Sequence, residues 1–317
     1  DMDPFLVLGD APFDISGELR NIGANTLTSY DLSYEVNGGS AVTANISGQN
    51  IAPYATETYT HPTSWTPTQP GSYEIVVYTE NPNGVADEDP NSARDTINVE
   101  VVDEFIQRNP LYEIFTSSTC GPCRPGNMNF HPIPDSRKGE FVAIKYQQNF
   151  PGSGDPYSTD ESVARRNFYS INSIPRMMID GGWDQNAASF TAQLHEDSRL
   201  VPSFLDMELE YEFDEDAQTI SYDLNIDALQ DFNNVLLHVA IVEEITFDNV
   251  KNNGETEFEQ VMKKMMPDNT GRSVSITEAN NYTLTESFTF EGNYRLPANA
   301  NSPINHSSEH SVEDFDD

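Results

Sequence analysis

Both cysteines of the chain lie in residues 111–130, and this stretch constrains the fold more than any other. Cys120 and Cys123 are separated only by Gly121 and Pro122. The apolar, aromatic run that precedes them predicts a buried strand that leads to the start of a helix. A thiol at a helix N-terminus faces unpaired N–H groups and the positive end of the dipole, which favour its thiolate. The second cysteine is close enough to close a short disulfide.

The residues after this stretch alternate between strand and helix patterns. Residues 141–147 predict a second buried strand, and residues 158–170 predict a helix in which Thr159 or Ser158 caps the N-terminus. A strand over 176–180 and a closing helix over 186–200 follow. Cys-x-x-Cys beside such a pattern is typical of redox proteins.

These residues resemble thioredoxin. The resemblance covers about residues 104–201, within a predicted domain 104–202, and the positions that carry it are Cys120, Gly121, Pro122, Cys123, Arg124, Ile174 and Pro175. It implies an α/β thioredoxin-like fold in which Pro175 forms a cis peptide bond beside the cysteines. It also implies that Cys120 is the attacking nucleophile and that Cys123 resolves the mixed disulfide.

The chain departs from the thioredoxin pattern at two positions. Thr119 stands where thioredoxins carry a tryptophan, and Ile114 stands where they carry a buried aspartate. Glu113 is one place away, which on a strand directs it to the opposite face. Both changes weaken the expectation of reductase turnover.

Residues 1–103 predict an N-terminal β-sandwich. Short alternating runs, such as 27–36 and 73–78, lie between turn signals such as Asn37-Gly38-Gly39. The segments NIGANTLTSYDLSYEVNGG and GSYEIVVYTENPNG resemble bacterial immunoglobulin-like modules.

Residues 203–296 predict a mostly-β C-terminal domain with one helix over 255–266. HVAIVEE followed by VMKKMMPDNTG resembles the outer-membrane-protein-28-related family of Gram-negative bacteria, which implies export to the periplasm or cell surface. Residues 297–317 form a polar, acidic tail that we interpret as either disordered or a truncated end. The predicted fold class is thus multidomain, an α/β thioredoxin-like fold flanked by two β domains.

The charge balance excludes some partners. With 16 Lys and Arg against 52 Asp and Glu, the formal net charge is −36. Such a chain offers no basic patch for nucleic acid or an anionic membrane. Its apolar runs fall short of the about 20 residues of a membrane span. The chain does not begin with Met, so we expect either a removed leader or a fragment. The predicted location is exported: periplasm, outer-membrane surface or extracellular.

Three interpretations of the cysteine pair remain open: a redox dithiol, a structural disulfide and half of a zinc site. Zinc requires two more ligands, and the only paired histidines, His306 and His310, lie in the polar tail. We therefore predict no metal and no cofactor. The acidic residues 87–89 match no recognised calcium-ligand spacing.

The function predicted first is thiol-disulfide exchange on exported proteins. Its catalytic residues are Cys120, Cys123 and Pro175, and its binding residues are Gly121, Pro122, Thr119, Ile174 and Arg176. The alternative is a non-catalytic surface or periplasmic scaffold that binds a surface protein and keeps the disulfide closed. Exposure of the Cys120 sulfur discriminates between them, because a nucleophile must be reachable.

Overall fold

The computed structural model describes residues 2–133, 136–214, 216–247 and 249–290. The chain divides into two compact units, Asp1–Phe105 and Ile106–Asp317. The predicted polar tail, residues 297–317, lies outside the described residues.

The first unit is built from strands in two sheets. The strands are β1 (Phe5–Val7), β2 (Ser16–Arg20), β3 (Leu27–Val36), β4 (Val42–Ile51), β5 (Thr56–Thr60), β6 (Gly71–Glu80) and β7 (Arg94–Val102). The larger sheet has the order β1-β7-β6-β3-β4, and β2 pairs with β5 in the smaller one.

Alternating side chains explain why these strands form. Leu32, Ile75 and Val101 face one core and are almost fully buried, as the period of two in a half-buried strand requires. Trp65 packs edge-to-face against Tyr73, with ring centroids 4.9 Å apart, so this tryptophan serves the core of the unit.

The second unit holds the cysteines and all three α-helices of the described residues. Its helices are α1 (Cys123–Phe130), α2 (Asp160–Phe168) and α3 (Ala192–Arg199). Its first strands are β8 (Leu111–Thr116), β9 (Val142–Gln147), β10 (Arg176–Ile179) and β11 (Trp183–Gln185). Its later strands are β12 (Leu205–Asp214), β13 (Thr219–Ala228), β14 (Phe232–Leu237), β15 (Val239–Thr246), β16 (Phe258–Met266), β17 (Arg272–Ile276) and β18 (Tyr282–Thr289).

A six-stranded sheet forms the centre of the second unit. Its order is β11-β10-β8-β9-β16-β15. Strands β8 and β9 are parallel, and β16 is parallel to β9, whereas the other neighbours are antiparallel. The sheet therefore combines strands from before and after residue 203, the predicted start of the C-terminal domain. Two further sheets have the orders β12-β13-β18 and β14-β17.

The predicted fold class is wrong, because strands and not helices dominate the chain. The described residues contain 18 strands against three α-helices of eight or nine residues. The cysteine-bearing segment does not form a self-contained α/β domain, since β15 and β16 complete its sheet. The protein is mostly β, and the thioredoxin-like α/β description is corrected accordingly.

The predicted helix over 255–266 is also wrong, because this segment forms strand β16. Its apolar residues recur at helical spacing, and this spacing is the reason that the sequence predicts a helix there. The strand lies between β9 and β15, and a strand buried on both faces loses its alternation. Lys263 is accommodated there by an ion pair with Glu243, Nζ to Oε2 2.6 Å.

Candidate functional site

The two cysteines form a disulfide between the end of β8 and the start of α1. Cys123 is the first residue of α1, and Cys120 lies in the turn before it. The backbone N–H of Cys123 donates to the Cys120 carbonyl at 3.1 Å, which fixes that turn. The exposed fractions of Cys120 and Cys123 are 1% and 0%. The pair is therefore a closed, buried cross-link and not an exposed dithiol.

The loop before Cys120, residues 117–119, is held by its own hydroxyl groups. The Ser117 and Thr119 hydroxyls lie 2.8 Å apart, and the Thr119 backbone N–H donates to Ser117 Oγ at 3.2 Å. Thr119 Oγ1 also donates to the carbonyl of Pro151 at 2.8 Å. Thr119 thus ties the loop to the Gly/Pro-rich segment after β9, and its hydroxyl is engaged within the fold.

A buried carboxylate, Asp155, anchors the same loop from the other side. It accepts hydrogen bonds from the backbone N–H groups of Ser118 at 2.7 Å and Tyr157 at 2.9 Å. The Asn249 side-chain amide lies 3.2 Å from Asp155 Oδ1. Burial raises the pKa of this carboxyl, and the hydrogen bonds it accepts oppose that effect. Asp155 links the disulfide loop to residue 249, far along the sequence.

Residues 249–255, which we call the cover, are hydrogen-bonded to the loop before Cys120 and to α1. The backbone N–H of Asn253 donates to the Ser118 carbonyl at 3.1 Å, and its side-chain amide donates to the Ser117 carbonyl at 3.2 Å. Glu255 Oε1 accepts a hydrogen bond from the Asn127 amide of α1 at 2.7 Å. The cover is therefore bonded to both the loop and the helix that the disulfide joins.

The structure brings some of the predicted site residues together. The Ile174–Pro175 peptide bond is cis, and the Ile174 carbonyl lies 3.7 Å from Cys120 Sγ. A Cβ built on Gly126 of α1 would lie 3.5 Å from Pro175 Cβ, so the proline packs against the helix. Because a disulfide carries no S–H, the Ile174 contact is packing and not a hydrogen bond.

The remaining predicted residues lie outside this contact. Gly121 and Pro122 are exposed on the outer side of the turn. Arg176 pairs with Asp184 of β11, and this hydrogen bond raises the pKa of the Arg176 guanidinium. The Arg176 guanidinium is thus paired with a carboxylate of the neighbouring strand and not with a sulfur.

The oxidoreductase prediction is wrong for this fold. Thiol-disulfide exchange requires a thiolate to approach a sulfur along an open path. Here the disulfide is closed, both cysteines are buried, and residues 249–255 are bonded over the loop. The redox-active centre expected at Cys120 is thus corrected to a closed disulfide whose two cysteines are buried.

Three residues that build this arrangement, Asp155, Asn249 and Asn253, carry no motif in the sequence that links them to the cysteines. Asp155 lies between the predicted strand 141–147 and the predicted helix 158–170, and Asn249 and Asn253 follow a strand by a few residues. No spacing relates them to the cysteines. The only available signal was an aspartate in an otherwise small and apolar loop.

The described residues contain no group of three or more His, Cys, Asp or Glu side chains placed to hold a metal ion. No helix in the described part of the chain is long and apolar enough to cross a membrane.

Comparison with known proteins yields only remote similarity. No protein-family model matches the chain, and no curated protein matches it. The resemblance to a thioredoxin-containing, outer-membrane-protein-28-related family is overturned by the mostly-β architecture of the described residues.

Several solved structures share part of the architecture at low similarity. A protein from Agrobacterium tumefaciens is 16% identical over 56% of this chain and 81% of its own, with a TM-score of 0.38. HBP35 of Porphyromonas gingivalis is 13% identical over 58% of this chain and 65% of its own, with a TM-score of 0.45. The CARDB domain of a Pyrococcus furiosus protein, solved in complex with di-metal ions, is 26% identical over 29% of this chain and 78% of its own, with a TM-score of 0.22. Because these scores are low, we base function on the geometry of this chain.

Proposed function

We propose that this chain is a non-catalytic binding or scaffold protein, in which the Cys120–Cys123 disulfide is a structural staple. The observation that carries the proposal is the closed Cys120–Cys123 disulfide, with both cysteines essentially unexposed, beside a loop to which residues 249–255 are hydrogen-bonded. A catalytic dithiol needs its first sulfur at the surface, whereas a staple is stabilised by being shielded from reductants.

The polar partners around the disulfide support a structural role. Asp155 and Asn253 satisfy the backbone groups of the loop at Ser117 and Ser118. Such groups are costly to bury without partners. The hydrogen bonds therefore fix the loop in one conformation, as a rigid scaffold requires.

We further propose that the protein acts outside the cytoplasm, in the periplasm, at the outer-membrane surface or in the medium. A persistent disulfide favours an oxidising compartment. The formal net charge of −36 keeps a protein soluble and monomeric at high concentration. We propose that the partner is another surface protein, since a mostly-β chain with a rigid second unit can serve as a scaffold for one.

Two measurements on the native protein test the proposal. The first is insulin reduction with dithiothreitol, using a thioredoxin as the positive control, and we expect no rate above background. The second is alkylation after mild reductant treatment, and we expect both cysteines to stay unlabelled until urea unfolds the chain. Asn253→Ala, which loosens the cover, serves as the matched variant and should become labelled at lower reductant concentrations.

Insulin reduction at a rate comparable to thioredoxin would overturn the proposal. So would rapid labelling of Cys120 in the native protein, because it would place the sulfur within reach of a substrate.

A further inference from the structure

A cavity of about 240 Å³ lies where the chain leaves the parallel strands β8 and β9. Its walls come from three segments: the loop after β8, the loop after β9 and the cover. The lining residues are Thr119, Pro151, Gly152, Ser153, Lys251 and Asn252. The cavity therefore lies at the carboxyl end of the two strands.

The chain leaves β8 and β9 toward opposite faces of the sheet. Phe130 of α1, which follows β8, packs in one core with Ile114, whereas Ile171, shortly after α2, packs in another core with Phe115. Ile114 and Phe115 are consecutive residues of β8, so their side chains lie on opposite faces. Neighbouring parallel strands whose connections diverge in this way leave a crevice at their carboxyl ends, which is where open sheets bind ligands.

Hydrogen bonds join the three walls of the cavity to one another. Thr119 Oγ1 donates to the Pro151 carbonyl at 2.8 Å, which ties the two loops together. Asp155 accepts from the Ser118 N–H at 2.7 Å, and the Asn253 N–H donates to the Ser118 carbonyl at 3.1 Å, which adds the cover. The cavity is therefore formed before any ligand enters it, which lowers the entropic cost of binding.

Lys251 gives this cavity a positive charge that the fold does not neutralise. In the second unit, eight Lys and Arg side chains form ion pairs with carboxylates. Lys251 forms none with any residue that the structure describes, although the chain has 52 Asp and Glu against 16 Lys and Arg. An unpaired ammonium group in so acidic a protein attracts an anion from solution.

A second cation, Arg166, lies beside the same wall. Its Nη1 donates to Asn149 Oδ1 at 3.2 Å, and its guanidinium carbon lies 5.1 Å from the ring centroid of Phe150. Both residues directly precede Pro151, which lines the cavity. Among the described residues Arg166 has no carboxylate partner, so it adds to the positive charge at this end of the sheet.

We propose that this cavity binds the carboxylate of a small organic monoanion. Lys251 pairs with the carboxylate, and the Ser153 hydroxyl and the Asn252 amide donate hydrogen bonds to it. The ring of Pro151 offers an apolar contact to a short hydrocarbon body. The proposal rests on the proposed function, since it gives the binding protein a ligand class.

The size of the cavity and the charge of the chain select this ligand class. A cavity of about 240 Å³ is smaller than the roughly 300–1,000 Å³ of sites for drug-sized ligands. Each further negative charge on a ligand adds repulsion from a chain of net charge −36, and Lys251 is the single cationic residue among those that line the cavity. A monocarboxylate is therefore favoured over a dicarboxylate or a phosphate dianion.

Titration of the full chain with butyrate, followed by amide chemical shifts in NMR spectra, tests the site. We expect saturable shifts at the lining residues, with a dissociation constant of about 1 mM for so small a ligand. Butyramide, which has the same shape without the charge, should bind about tenfold more weakly or not at all, and succinate should bind no more tightly than butyrate. Equal binding of butyramide, tighter binding of succinate or the absence of saturable shifts at these residues would overturn the proposal.

Charge removal on the protein locates the site. Lys251→Gln should weaken butyrate binding about tenfold or more. The matched control, Lys138→Gln, makes the same change in net charge at an exposed position before β9, at the other end of that strand, and should change binding less than about twofold. Equal loss in both variants would show attraction to bulk charge only and would refute the site.

A variant that fills the cavity tests the site without a change in charge. Ser153→Leu removes a donor and places a larger side chain in the cavity, so we expect butyrate binding to be lost. Unchanged binding in this variant would show that butyrate lies elsewhere and would count against the proposal.

A carboxylate can come from a free acid or from the end of a peptide chain, and N-acetyl-dialanine distinguishes these sources. Tighter binding of this peptide than of butyrate would assign the site to a chain end, whereas weaker binding would assign it to a free acid. In both cases the C-terminal amide of the peptide should bind at least about tenfold more weakly than the peptide itself. Equal binding of the amide would contradict recognition of a carboxylate.

The two proposals fail separately. Loss of butyrate binding with an inert disulfide would remove only the carboxylate site. An active dithiol with intact butyrate binding would remove only the non-catalytic function.

Discussion

The backbone N–H of Asn253, in the connection between β15 and β16, donates at 3.1 Å to the carbonyl of Ser118, in the loop after β8. Ser118 lies two residues before Cys120. The bond is one of the contacts that hold residues 249–255 against the loop before Cys120.

Removal of the disulfide should lower stability without changing the fold. For the double variant Cys120→Ala with Cys123→Ala, the closed loop is short, so we expect a loss of about 2 kcal/mol in the free energy of unfolding. Urea denaturation of both proteins measures it. An unchanged midpoint would show that the cross-link contributes nothing to the folded state.

Loss of the Asp155 carboxylate should loosen the disulfide loop. In Asp155→Asn an amide N–H₂ faces a backbone N–H of Ser118 or Tyr157, which leaves a buried donor unsatisfied and costs about 1–3 kcal/mol. We also expect faster reduction of the disulfide by a phosphine, measured by mass spectrometry.

The control for this change is Asp160→Asn, at the exposed first residue of α2. It removes one helix N-terminal charge, which is worth less than about 1 kcal/mol, and should leave the reduction rate unaltered. Similar effects of the two variants would argue against a specific role for Asp155.

The Glu113–Arg165 ion pair is buried, and breaking it should strongly lower the free energy of unfolding. Arg165 Nε lies 2.6 Å from Glu113 Oε1, and the Tyr146 hydroxyl donates to the same oxygen at 3.0 Å. Glu113→Gln leaves the arginine without its carboxylate, and we expect a loss of about 3–5 kcal/mol. Thermal and urea unfolding measure this loss.

The exposed ion pair between Arg137 and Glu196 serves as the control for the buried Glu113–Arg165 pair. Arg137 contacts Glu196 at 2.9 Å, and the Glu196 side chain is half exposed. Glu196→Gln should cost less than about 1 kcal/mol. If both glutamine variants lose the same stability, burial does not set the cost of breaking these pairs.

At acidic pH the protein should lose the contribution that the Glu259 carboxylate makes to its free energy of unfolding. Burial by itself raises the pKa of this carboxyl, but the hydrogen bond and charge of His131 and the charge of Lys145 outweigh it, so the pKa is lowered. A lowered folded-state pKa adds stability that is present above the unfolded-state value, about 4.3, and is lost as the pH falls through the folded-state value.

The stability difference between the wild type and Glu259→Gln should therefore shrink from pH 7 to about pH 3, as urea denaturation across this range would show. A constant difference for Glu259→Gln would contradict the predicted dependence.

Local patterns were sufficient for several elements. The predicted runs 27–36 and 73–78 lie in β3 and β6, because strands with one buried face alternate. Thr159 caps α2 by accepting the Ser162 N–H at 3.0 Å, since a hydroxyl before a helix satisfies its free donors.

Other elements required the tertiary structure. The apolar positions of β16 have helical spacing, yet the segment is a strand because β9 and β15 lie on either side of it. The same sheet places β15 and β16 so that residues 249–255, which connect them, are hydrogen-bonded to the loop before Cys120.

By itself, the sequence determined that Cys120 and Cys123 lie at the start of a helix, close enough to be joined. Only the tertiary structure decided that this pair is buried and that the chain is mostly β. The physical reason is that accessibility and sheet pairing depend on segments distant in sequence, such as Asn253 over Ser118, which no local period encodes.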